Sequence, residues 1–190
     1  MFRTYYEQTK IVLTGKKKTR IAVIQLRKQA LTLTTKNIVD MILEYDFFDA
    51  DKNPKGKGLL HLYDMHLIEK HKVVIDETTK LMWQRSGMTY LIKDGKANQC
   101  IKSLNRKCFA GYSDWRLPTL EEAMSLLECQ KKVNGLYIDP LFDKEQNWIW
   151  TADLSENGNG PWYVSFLRGI FGNIHLFNYG LDYVRAVRSL

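Results

Sequence analysis

Helical periodicity in this chain is confined to the part before residue 129, and only strand-like runs follow it. That ordering limits the fold more than any other feature. Helical patterns occupy 36–45, 97–107 and 120–128, strand-like runs at 72–76 and 81–85 fall between them, and further runs lie at 148–151, 162–166 and 183–188. A regular alternation of strand and helix would indicate a parallel α/β sheet; this uneven order indicates an α+β fold with mostly antiparallel strands. The sharpest local signal is Pro118-Thr119-Leu120-Glu121-Glu122. Thr119 can accept from the amide three residues on while Glu122 reaches back to the Thr119 amide, and this capping box opens a helix with Leu120, Ala123, Met124 and Leu127 turned inward. Upstream, Thr34 or Thr35 caps 36–45, where Ile38, Met41, Ile42 and Tyr45 share a face. Residues 21–33 fit either a strand or a short helix.

The 190 residues suffice for one buried core. The reading divides them into a basic segment 1–33, a helical lead-in with its loop 34–71, and a main domain 72–190. Part of the net charge of +7 sits in Lys10, Lys16, Lys17, Lys18, Arg20, Arg27, Lys28 and Lys36. No zinc-finger or helix-turn-helix pattern accompanies them, so nucleic acid is not expected as a partner. Cys100, Cys108 and Cys129 lack metal-type spacing and are expected to pack as small hydrophobes in a reducing compartment. With no secretory pattern in 1–33 and no membrane-length apolar run, the expectation is cytoplasmic, or a part of a larger or surface-displayed assembly.

Metal and cofactor chemistry is not expected. The loop 49–58 places oxygen ligands at alternate positions in the manner of a calcium loop, but Pro54 stands where the sharp-turn glycine belongs and Leu60 where a bidentate glutamate would close the site. His61, His66 and His71 are spaced for neither one helical face nor one strand face. No nucleophile elbow or phosphate loop is present.

Three blocks together resemble a known family: 74–76 with 81–84, Gly111-Tyr112-Ser113-Asp114-Trp115-Arg116-Leu117-Pro118-Thr119, and 162–164 with 183–188. The chain over 72–190 resembles the C-terminal domain of the Legionella collagen-like adhesin, a branch of the C-type lectin-like fold, and more distantly the formylglycine-generating enzymes. The resemblance implies mostly antiparallel strands with two packed helices after an N-terminal helical lead-in. Formylglycine generation relies on cysteines late in the chain, and none follows Cys129, so an enzyme is not expected. Within the middle block Trp115 and Leu117 suit burial, whereas Asp114 and Arg116 suit ion pairs in a turning loop. Trp148, Trp150 and Trp162 read as core aromatics. Arg185 and Arg188 would face opposite sides of a strand, one paired internally and the other toward solvent.

The stretch 167–182 keeps no clean period between orderly flanks, which is the mark of a segment chosen for contact rather than for folding. Among proteins of this fold the resemblance points to the variable proteins of diversity-generating retroelements, whose C-terminal segments are rewritten at adenines. Their rewritten codons cannot yield Lys, Glu, Gln, Met or Trp, and 167–182 contains none of these, although they form about a quarter of the chain. The expected function is therefore ligand display. Leu167, Arg168, Ile170, Phe171, Asn173, His175, Phe177, Asn178, Tyr179, Leu181 and Asp182 are the candidate contact residues, toward a protein or peptide ligand. The alternative is a calcium-independent lectin for sulfated polysaccharides, with an anionic glycan as the partner.

Overall fold

The computed structural model describes residues 8–14, 17–88, 92–173 and 181–190. In chain order the elements are β1 (Gln8–Thr14), β2 (Lys17–Val23), β3 (Thr32–Leu33), α1 (Thr35–Glu44), β4 (Tyr63–Ile68), β5 (His71–Asp76), β6 (Leu81–Gln84) and β7 (Ile92–Lys93). They continue with α2 (Asp94–Arg106), α3 (Leu120–Ser125), β8 (Trp148–Ser155), β9 (Pro161–Ser165), β10 (Ile170–Asn173), β11 (Leu181–Asp182) and β12 (Val187–Ser189). One four-stranded sheet runs β12-β6-β5-β4 and a second runs β10-β9-β8-β3. Every named pair is antiparallel except β3 with β8. The fold is α+β, as the uneven element order predicts.

Local chemistry explains where the helices start. Thr34 caps α1 by accepting from the Asn37 amide at 2.9 Å, and the Asn37 side chain accepts from the Thr34 amide at 3.1 Å. Asparagine thus completes a capping box more often built with glutamate. At α3 the sequence-predicted box forms, with Glu122 accepting from the Thr119 amide at 2.9 Å. Glu122 also takes both terminal nitrogens of Arg116, at 2.7 and 2.6 Å, so one buried carboxylate fixes the helix start and the loop before it.

The main core does not stop at residue 72. Leu26, Leu33, Ile38, Ile42 and Phe47 pack in one cluster with Val74, Trp83, Leu120, Met124, Ile149, Trp162, Phe166 and Val187. Polar anchors reinforce this. Buried Asp153 accepts from Arg27 at 2.8 and 2.7 Å and from the amides of Leu31 and Leu120, both at 2.6 Å. The basic segment thus ends inside the body of the fold, whereas β1 and β2 form a hairpin of their own. A second cluster joins Val73, Ala97, Ile101, Leu104, Trp115, Leu117, Trp150, Val184 and Ala186. Trp115, Trp150 and Trp162 are buried as expected, and Trp148 is half-buried.

Four expectations need correction. The run 183–188 is not one strand: Tyr183 bridges to Ile149, 184–186 leave the ladder, and only β12 pairs with β6. The departure coincides with Arg185, which is fully buried among core residues, while Gln84 binds the Ala186 amide through its side-chain oxygen at 2.9 Å. Arg188 does not simply face solvent, because it pairs with Asp114 at 2.7 and 3.1 Å and lies 3.9 Å over the Tyr112 ring. Cys108 and Cys129 are exposed rather than packed, and only Cys100 is partly buried. Cys108 sits at φ 47°, in the left-handed corner after α2. Finally, α2 begins at Asp94, three residues before the predicted start. No helix among the described residues is long and apolar enough to cross a membrane.

Candidate ligand-display site

The stretch 167–182 begins in the tight turn between β9 and β10, so its geometry starts from backbone demands. Gly169 adopts φ +72°, and a Cβ there would lie 2.9 Å from the Phe48 ring and 3.0 Å from Tyr137. Only glycine combines that dihedral with that approach. The Gly169 amide donates to the Ser165 carbonyl at 2.8 Å, and the Arg168 amide donates to the Ser165 hydroxyl at 3.1 Å. Gly172 is needed for a different reason: a Cβ would stand 2.4 Å from the Tyr163 hydroxyl oxygen on the neighbouring strand.

The turn is held from outside as well as from within. The Ala50 amide donates to the Gly169 carbonyl at 2.8 Å, and the Phe171 amide donates to the Asp49 carboxylate at 3.1 Å. Asp49 also accepts from the amides of Asp51 at 2.9 Å and Lys52 at 2.8 Å. Burial pushes the Asp49 carboxyl above its ordinary range, against the lowering effect of these three N–H bonds. The loop with calcium-like spacing is therefore used as a clamp: its first oxygen ligand is spent on backbone amides, two of its own loop and one of β10. Among the described residues no group of three or more His, Cys, Asp or Glu is placed to hold a metal.

The predicted contact residues fall into distinct environments. Leu167 is 42% exposed and Arg168 is exposed, both on the outside of the turn. Ile170 is only 7% exposed and turns into the body. Phe171 is half-buried, its ring edge-on to Trp162 with centroids 5.7 Å apart. Asn173 is half-buried at the last rung of the β9–β10 ladder, opposite Trp162. Leu181 and Asp182 form β11, paired with Lys93 and Ile92 of β7. His175, Phe177, Asn178 and Tyr179 lie outside the described residues. The stretch thus enters from one four-stranded sheet and leaves through a separate two-stranded ladder. Sequence reasoning missed Asp49, Phe48 and Tyr137 as supports of the turn. Their signal was weak, since a loop aspartate before a charged, proline-containing run reads first as a solvated turn.

The triplet 114–116 is structural. Asp114 pairs with Arg188, Arg116 with Glu122, and the Trp115 indole donates to the Phe109 carbonyl at 2.9 Å. His61 of the histidine trio is buried, its Nδ1 2.7 Å from Asp76 and its Nε2 2.7 Å from the Ser125 carbonyl. A carboxylate and a carbonyl both accept, so this geometry favours a proton on each ring nitrogen. Burial opposes that charge, but the hydrogen bond and attraction from Asp76, with the Ser125 carbonyl, hold the imidazole above its ordinary value.

Residues 72–188 match the family model of the Lcl C-terminal domain, and the match runs from β5 into β12. No curated protein and no solved structure matches the chain. Because the matched stretch is more than half of the sequence and contains the hairpin, the 114–119 corner and the late strands described above, this chain belongs to the Lcl C-terminal domain family.

Proposed function

We propose that this protein is a binding scaffold of C-type lectin-like architecture that presents 167–182 to a protein or peptide ligand, rather than an enzyme. The observation that carries the reading is the clamp on the β9–β10 turn. Gly169 and Phe171 are tied to the 49–53 loop, while Leu167 and Arg168 are exposed at the same turn. A turn fixed at its base loses little freedom on binding, so its exposed side chains contribute to affinity with a small ordering cost. Arginine is among the residue types enriched at the centre of protein interfaces. Diversification of this stretch by a retroelement belongs to the same proposal, since its residue types fit adenine-directed rewriting.

The second reading is a lectin for sulfated polysaccharides, favoured by the net charge of +7. One experiment separates the two. The full chain is screened against a displayed peptide library and a sulfated-glycan array at low and high salt. The display reading expects salt-tolerant peptide binders that are lost in the Leu167→Ser/Arg168→Ala double variant at unchanged Tm. Binding only to the glycans, falling steeply as salt rises, would transfer the function to the lectin reading. Peptide binding that survives the double variant would move the site elsewhere. The retroelement component is checked in neighbouring DNA, where a near-copy of this coding stretch should differ chiefly at adenines.

A further inference from the structure

The sheet β12-β6-β5-β4 ends in β4, whose outer edge pairs with no further strand among the described residues. Asp64, Met65, His66 and Leu67 are all exposed, with Met65 at 45% and Leu67 at 70%. Such an edge is usually guarded by proline, a bulge or lysine. None of these occurs in Tyr63–Ile68, and the ladder to β5 is unbroken from Tyr63 opposite Asp76 to Ile68 opposite His71.

The hydrogen-bond phase of this ladder fixes which backbone groups remain available. The Glu77 amide donates to the Leu62 carbonyl at 3.0 Å, one rung before Tyr63. The Arg85 amide donates to Lys72 in the next ladder, which sets the opposite phase on the far side of β5. Antiparallel rungs alternate, so Asp64, His66 and Ile68 spend their backbone groups on β5. Those of Tyr63, Met65 and Leu67 point off the sheet.

We infer that β4 pairs with the β4 of a second copy of this chain, antiparallel about a two-fold axis at Met65, joining two sheets into one of eight strands. In that register Met65 faces Met65 and Tyr63 faces Leu67, so every rung that must exchange hydrogen bonds falls on a residue whose groups point outward. Asp64 then stands opposite His66 of the other copy, and His66 opposite Asp64, at the closely spaced rungs where side chains meet. Within one chain these two side chains already approach to 3.1 Å, so their chemistry is matched. Met65 and Leu67 lie on the other face and form an apolar strip with their counterparts. A shift of two residues one way puts Asp64 opposite Asp64, and the other way puts His66 opposite His66 and carries Tyr63 into the turn at Glu69. The sequence is thus self-complementary in one register alone, which is what a two-fold contact requires. A strand-edge contact is small, so the association is weak, with Kd on the order of 0.1 mM. This inference does not depend on the display reading.

Sedimentation of the full chain up to about 1 mM should show a reversible monomer–dimer equilibrium. Met65→Pro deletes an N–H that points off the sheet, so it should give a monomer at unchanged Tm. His66→Asp sets like charges opposite one another and should weaken dimerisation at least roughly tenfold, and adding Asp64→His should restore it. In a Cys108→Ser/Cys129→Ser background, Met65→Cys should form an oxidised dimer, because paired residues of that rung type sit about 5.5 Å apart, within disulfide reach. Leu67→Cys, which faces Tyr63, should not. A monomer at all concentrations, a dimer indifferent to His66→Asp, or cross-linking equal at both cysteines would each overturn the inference.

Discussion

The Asp49 carboxylate accepts the amide of Phe171, 122 residues further along the chain, at 3.1 Å. This bond ties the loop after α1 to the strand that carries the display stretch. Asp49→Ala leaves the amides of Phe171, Asp51 and Lys52 without this acceptor and should cost about 1–3 kcal/mol, chiefly through half-buried Phe171. Asp49→Asn keeps one acceptor oxygen and should cost less. Amide exchange at Phe171 should accelerate in the alanine variant well beyond exchange in β5. Unchanged protection at Phe171 would show that the clamp is not needed to hold the turn.

His61 makes stability depend on pH. Its folded pKa is raised above the ordinary 6.5, so the stability that protonated His61 contributes is complete below the unfolded value. It is lost as pH rises through the folded value, which lies higher. Denaturant unfolding between about pH 5 and 9 should therefore show stability falling on the alkaline side, and His61→Gln should flatten that part of the profile. A wild-type profile with the opposite slope, undone by no change at residue 61, would contradict the doubly protonated ring.

Two ion pairs made by the ends of the 114–116 triplet should differ sharply in worth. Glu122 is fully buried, caps α3 and holds Arg116, so Glu122→Ala should cost about 3–5 kcal/mol. Asp114 pairs with Arg188 but its side chain is 59% exposed, so Asp114→Ala should cost less than about 1 kcal/mol. Equal losses in a denaturation series would reject this ordering.

Arg185 is a fully buried charge. Its Nη2 donates to the Asp143 carbonyl at 3.0 Å and its guanidinium lies 4.8 Å over Phe142, but Nε and Nη1 are buried without a hydrogen-bond partner. Burial pushes its pKa down to about 9, so the charge persists at neutral pH at an energetic cost. Arg185→Met should be neutral or stabilising by about 1–2 kcal/mol. A marked drop in Tm would show that the guanidinium organises the 184–186 segment beyond these contacts.

Glycine geometry offers a second test of the β9–β10 turn. Gly169→Ala and Gly172→Ala should each destabilise by about 1–3 kcal/mol, the first through φ +72° and Phe48, the second through Tyr163. Gly158→Ala, at φ +70° with open space around its Cβ position, should cost less.

Residue patterns made much of this legible. The capping box at Thr119, the threonine cap on α1, the stripe on α2 and the β5–β6 hairpin follow from local rules that hold wherever the chain packs. β4 was invisible because its residues face solvent, so no alternation marks it, and its turn uses Glu69 and Lys70 at positive φ in place of the usual Asn-Gly. The break at Arg185 was hidden for the opposite reason. Val184, Arg185, Ala186 and Val187 are all buried, and full burial erases the period that would have shown the strand ending. At the site, the exposed Leu167 and Arg168 fit a contact role. The burial of Ile170 and the lean of Phe171 on Trp162 depend on a neighbouring strand that no local window contains.

Because Leu26, Leu33, Ile38, Ile42 and Phe47 share one interior with Val74, Trp162 and Val187, the piece that can be inherited intact is longer than the piece that carries the family signature. A recombination that moved only residues 72–188 into another gene would deliver a domain with part of its floor missing. A fragment that keeps the whole interior has to start upstream of Leu26.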